Sequence, residues 1–217
     1  MILYIIRHAD PDYEHNTITP FGWEEAHALA VYLKNVKIDK VYSSPMGRAI
    51  DTATPTCKVK GLEPEILSWA GEHMDYMSSH TLTPEHECTY RFSLQEGVCD
   101  FKDFTDGNRM ETVESMIKNS DAFLAAHGYV RKGFFYHFDK HNEESIAVFC
   151  HGGFGGAWIS HLLGVAPGLT YPTLSLNTSS VTTFEFRSSE KGYTRPIMTR
   201  MSEISHIRDA GLRINNR

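Results

Sequence analysis

The chain has 217 residues, 41% hydrophobic and 22% charged, which fits one soluble domain with enough length to bury a substantial core. A formal net charge of −6 denies it the overall positive field that attracts nucleic acid or anionic membranes, so a bound anion needs a local cluster of cations. No stretch reaches the roughly 18 apolar residues that cross a bilayer, and Cys57, Cys88, Cys99 and Cys150 lack the C-x-x-C pairing of a zinc or redox site. The N-terminus runs straight into a strand, without the parts of a signal peptide. Reduced thiols and a cytoplasmic protein are expected.

Ile2 to Ile6 is a short continuous apolar run, the pattern of a strand covered on both faces, and it stops at Arg7, His8 and Ala9. In "TPFGWEEAHALAVYL", Thr19 can cap a helix with Pro20 at its first position. Glu24 and Glu25 favour the positive end, and Ala26, Leu29, Ala30 and Leu33 form an apolar stripe. "DKVYSSPMGRAIDTA" repeats the grammar: a strand through Val41 and Tyr42, Ser44 as cap, Pro45 as first helical residue, and Arg48 in the first turn. "SIAVFCHGGFGGAWISHLLG" gives a strand from Ile146 to Cys150, then His151, two glycines and a helix ending at Gly164. "VTTFEF" and "PIMTRM" read as later strands.

Alternating strands and helices predict an α/β fold, a three-layer α/β/α sandwich with a mostly parallel central sheet. The segment from His73 to about Asn108 breaks the rhythm, and a helix is expected from about Glu111 to His127, stopped by Gly128. The whole chain, 1–217, reads as a single domain, with an insertion at about 73–130 forming a largely helical or irregular cap over the strand ends.

Ligands of parallel sheets sit beyond the carboxyl ends of the strands. Three predicted strands deliver Arg7 and His8, Arg48, and His151 to that edge. Two arginines and two histidines suit a tetrahedral dianion, because the guanidinium fork matches phosphate oxygens. The N-terminal amides of the helices after Ser44 and His151 would add donors, and Gly152 and Gly153 would let the backbone come close. A neutral histidine in such a pocket can attack phosphorus, and a carboxylic acid must then protonate the leaving oxygen. Glu72, just after "EILSWAG", is the candidate, with Glu65 and Asp10 as competitors.

Taken in order, Arg7-His8-Ala9 with "ITPFGWEEA", "SSPMGRAIDTA", the glutamate after "ILSWAG" and "HGG" resemble the histidine phosphatase superfamily, in its phosphoglycerate-mutase-like branch. "NTSSV" at residues 177–181 also resembles the segment before a late core strand of that family. The resemblance implies a phosphohistidine mechanism. His8 is then the nucleophile, Arg7, Arg48 and His151 bind the substrate phosphate, and Glu72 is the proton donor. "HGG" at the last motif favours the mutase-like branch over the acid phosphatases. The mutases carry a longer stretch after the first histidine than the ten residues between His8 and Thr19.

The expected activity is therefore a metal-independent phosphatase that hydrolyses phosphomonoesters and needs no cofactor. Its partner is a phosphorylated small molecule, with no nucleic acid or membrane involved, and nothing in the sequence fixes an oligomeric state. Two alternatives are a phosphomutase of the phosphoglycerate mutase type and a catalytically silent phospholigand-binding module. His137 and His141 could face one metal on a helix, but no third ligand accompanies them and a surface pair is expected. His73, His80 and His86 are expected to be incidental, and Trp69 and Trp158 to belong to the core.

Overall fold

The computed structural model describes residues 1–72, 107–165 and 174–215, apart from the side chains of residues 107–112. Its centre is a six-stranded sheet. In chain order the strands are β1 (Ile2–Arg7), β4 (Lys40–Ser43), β5 (Pro64–Ile66), β8 (Ser145–Cys150), β9 (Val181–Phe186) and β11 (Pro196–Glu203). Their spatial order is β11-β9-β1-β8-β4-β5. The pairs β1–β8, β8–β4 and β4–β5 are parallel, whereas β9 runs antiparallel to both β1 and β11.

Alternation along the strands sends side chains to two separate cores. Leu3, Ile5, Ile146, Val148 and Cys150 join Phe154 and Trp158 of helix α4 (Gly152–Leu163) with Met116, Phe123 and Leu124 of α3 (Gly107–Ala126). Ile6, Ala147 and Phe149 point the other way, against Leu29 and Leu33 of α1 (Pro20–Leu33) and Ala53 and Cys57 of α2 (Gly47–Lys60). Helices thus cover both faces, giving the α/β/α layering that period-two patterning of buried strands requires. α3 comes from the segment read as an insertion, and its buried face packs in the same layer as α4. Residues 73–106, with His73, His80, His86, Cys88 and Cys99, lie outside the described residues.

Short elements complete the fold. β2 (Pro11–Asp12) and β3 (Thr17–Ile18) form a hairpin, β6 (Val130–Lys132), β7 (Phe135–His137) and β10 (Tyr193–Thr194) a small sheet, and α5 (Ser205–Asp209) closes the chain. α1 is capped as expected, with Thr19 Oγ1 accepting from Gly22 N–H at 3.0 Å. α2 begins at Gly47 rather than Pro45, with Met46 as its N-cap and no side-chain cap bond. His137 lies in a strand, so it and His141 share no helical face. Trp158 is fully buried, donating from its indole to Ser120 at 2.7 Å, and Trp69 packs edge-on against it. No helix among the described residues is long and apolar enough to cross a membrane.

Candidate active site

Register brings the site together. Arg7 pairs with Cys150 and Ser43 with Phe149, so β1, β8 and β4 finish within a residue of one another at the same sheet edge. The chain beyond each end is still held by ladder bonds, His8 N–H to Cys150 O at 2.9 Å and Ser44 N–H to Phe149 O at 2.8 Å. His8 and His151 consequently meet edge-to-face, with ring centroids 5.2 Å apart. Both are buried, as is Arg48 in the first turn of α2.

His8 Nδ1 lies 2.7 Å from the carbonyl oxygen of Ala9. A carbonyl only accepts, so Nδ1 carries the proton and Nε2 keeps its lone pair. Burial pulls the imidazole down to about 3, with the positive charges of Arg7 and Arg48 acting in the same direction. The ring is therefore neutral at any ordinary pH, with a lone pair on Nε2.

The cations are fixed by different means. Arg7 donates to the Leu176 carbonyl at 2.5 Å, and its Nε is buried with no hydrogen-bond acceptor from the protein. The Nε of Arg48 is equally buried and unpartnered, while its terminal nitrogens reach Asn16 Oδ1 and Met46 Sδ. Buried guanidinium N–H groups without acceptors suit a site whose acceptors arrive with the ligand. A Cβ on Gly152 would lie 3.1 Å from Arg7 Nε, so the glycine gives this side chain its room. His151 Nε2 is 2.7 Å from Ser44 Oγ, which also accepts from Met46 N–H at 3.2 Å. Ser44, read from sequence as a helix cap, therefore orients a site histidine instead.

Glu72 accepts from the backbone N–H groups of Gly153 at 3.3 Å and Phe154 at 3.0 Å. These amides open α4 and were expected to face phosphate; the carboxylate occupies them. Burial raises the Glu72 carboxyl above its ordinary value, against the opposing pull of those amides and of Arg48 and Arg7. The competitors lie in different surroundings. Glu65 is exposed on β5, and Asp10 is spent on structure, accepting from Thr19 Oγ1 at 2.7 Å and from Asn215 Nδ2. Among the described residues, no group of three or more His, Cys, Asp or Glu side chains is placed to hold a metal ion.

Residues 3–196 match the histidine phosphatase superfamily (branch 1). The chain belongs to that family. A histidine phosphatase hydrolyses phosphomonoesters through a histidine. No curated protein matches the sequence. Solved structures share the fold: phosphoserine phosphatase of Entamoeba histolytica, in complex with 3-phosphoglyceric acid, is 22% identical with a TM-score of 0.62, covering 95% of this chain and 98% of that one. A mycobacterial glucosyl-3-phosphoglycerate phosphatase is 16% identical, TM-score 0.59, covering 93% and 98%. Bacillus stearothermophilus YhfR is 14% identical, TM-score 0.64, covering 95% and 98%.

Sequence reading missed one support of this histidine phosphatase site. Glu25, read as a helix-dipole residue, is only 1% exposed and accepts from Asp10 N–H at 2.7 Å and Thr178 Oγ1 at 2.8 Å. It ties the loop after His8 to the 177–180 loop, whose Ser179 N–H donates to the His8 carbonyl at 3.1 Å. Its phase was the available signal: Glu25 lies one turn before Leu29 on the buried stripe.

Proposed function

We propose that the protein is a metal-independent phosphatase for a small phosphorylated molecule, with His8 as nucleophile, Glu72 as proton donor, and Arg7, Arg48 and His151 as the phosphate cradle. The observation that carries this reading is the Nδ1–H of His8 directed at the Ala9 carbonyl, which leaves Nε2 as the attacking atom. Nε2 bonds to phosphorus, the ester P–O bond breaks, and the leaving oxygen takes the proton of the Glu72 carboxyl. The phosphorylated ring is cationic and keeps its Nδ1–H, so the Ala9 carbonyl stabilises it. Water then attacks phosphorus, gives a proton to Glu72 and releases His8 neutral.

The two guanidinium groups supply fixed positive charge for the equatorial oxygens, the part a metal ion plays in other phosphoryl-transfer sites. The names of the two phosphatases with this fold, one for phosphoserine and one for a phosphoglycerate glucoside, favour a phosphorylated metabolite. Free, buried Cys57 and Cys150 accord with action in the cytoplasm.

The test is covalent trapping with a phosphorus-labelled ester. Phosphohistidine is acid-labile and alkali-stable, so an alkaline quench retains label on His8 and an acid quench loses it, and turnover persists in excess chelator. Label that survives in His8→Ala, or activity abolished by chelator and restored by a divalent ion, would refute the assignment.

A further inference from the structure

The ten residues between His8 and Thr19 fold into the β2–β3 hairpin, with Pro11 opposite Ile18 and Asp12 opposite Thr17. One arm of this hairpin is clamped to α2. Asn16 takes a left-handed backbone, φ 51°, and its carbonyl presses on Gly47 so closely that a Cβ there would lie 2.1 Å from it. Its side chain accepts from Arg48 at 3.3 Å, and Thr17 donates to Asp51.

The turn that follows the other strand begins with Tyr13. The Arg48 guanidinium carbon lies 5.3 Å from the centre of its ring, and the phenol is near enough to Arg7 to act on that guanidinium electrostatically. Yet Tyr13 remains 67% exposed. A side chain that lies against the Arg48 guanidinium and keeps most of its surface open is available to the group esterified to a phosphate held by that arginine. No step of the phosphoryl transfer uses it.

We propose that Tyr13 contacts the leaving group, so that the hairpin selects phosphate monoesters whose alcohol presents a flat or apolar face beside the ester bond. This inference rests on the phosphatase reading above. An aromatic ring held by a cation on one side gains from stacking or C–H contact on the other. A residue doing no more than ordering Arg7 and Arg48 would act on the phosphate alone, whatever is attached to it.

That difference is measurable. Inorganic phosphate has no leaving group, so its inhibition constant reports the cradle by itself, whereas p-nitrophenyl phosphate reports cradle and ring contact together. Tyr13→Ala should lower kcat/KM for p-nitrophenyl phosphate by about three- to tenfold while the phosphate inhibition constant stays within about twofold. Tyr13→Phe, which keeps the ring and loses the hydroxyl, should keep the wild-type ratio of the two quantities, whereas Tyr13→Ala should not. Equal changes in the two quantities for Tyr13→Ala, or no change in either, would overturn the leaving-group contact. A wild-type protein that neither hydrolyses the ester nor takes label on His8 would overturn the phosphatase reading beneath it. Thermal melts of the variants establish that each is folded, as expected for a largely exposed position.

Discussion

Glu25 accepts a hydrogen bond from the backbone N–H of Asp10 at 2.7 Å, fastening α1 to the loop two residues beyond His8. Its second oxygen accepts from Thr178 Oγ1, so one buried carboxylate spans both segments that flank His8. Burial raises this carboxyl above its ordinary value, which shows how much the two donors must offset.

Removing that carboxylate should hurt more than neutralising it. Glu25→Ala leaves the Asp10 amide buried without an acceptor, at a cost of about 1–3 kcal/mol. Glu25→Gln keeps an oxygen for Asp10 and offers its amide N–H to Thr178, and should cost less than about 1 kcal/mol. Urea unfolding measures both. Equal destabilisation would mean that the negative charge, rather than the hydrogen bonds, holds the loop.

Gly152→Ala should weaken the grip on phosphate. The added Cβ comes within 3.1 Å of Arg7 Nε, and Arg7 is also held by the Leu176 carbonyl, so the guanidinium must shift. Displacing a binding group by a fraction of an ångström should raise the inhibition constant of phosphate or vanadate by about three- to tenfold, with the melting temperature little changed. An unaltered inhibition constant would show that Arg7 has slack the packing does not suggest.

Glu72→Gln should discriminate between leaving groups. An alkoxide needs a proton as the P–O bond breaks, whereas nitrophenolate departs with little help, so alkyl phosphates should slow by about a hundredfold or more. The pre-steady-state burst of nitrophenol from p-nitrophenyl phosphate should be far less affected. Glu65→Gln and Asp10→Asn serve as controls, and selective loss in either would move the acid to that residue.

Stability should fall as the medium is acidified from pH 7 to pH 5. Burial pulls His8 to about 3 and His206 to about 4, so the folded state refuses protons that the unfolded chain accepts near 6.5. Their contribution is complete above the unfolded value and declines as pH falls towards the folded one, by about 2 kcal/mol for each group at pH 5. Glu25 and Glu72, raised by burial, act in the opposite sense, so the comparison must isolate one residue. His206→Asn should melt with a shallower dependence on pH than wild type over this range. Parallel dependences would mean that His206 is protonated inside the fold.

Strands and helices were legible in the sequence because each carries a local period: β1 and β8 as continuous apolar runs, α1 as a capped stripe. Arg7, His8, Arg48 and His151 followed from strand order alone, since parallel strands end at one edge. What eluded the sequence depends on long-range geometry. Ser44 looks like a cap until a histidine from 107 positions away reaches its hydroxyl. Glu72 is the expected acid in sequence, but nothing there shows that two amides of α4 anchor it. Tyr13 has no signal at all, because it lies in the four-residue turn between β2 and β3, where no strand or helix period applies.

The sheet order also governs when the pocket comes into being. β1 precedes the other strands of this sheet, yet its two neighbours, β8 and β9, come from residues 145–150 and 181–186. Contacts so distant along the chain close slowly, because the intervening loop must lose its freedom first. A nascent chain therefore exposes Arg7 and His8 long before Arg48 and His151 can gather round them at one sheet edge. Recovery of activity on refolding becomes a clock for the final pairing of the sheet, later than any signal from the helices.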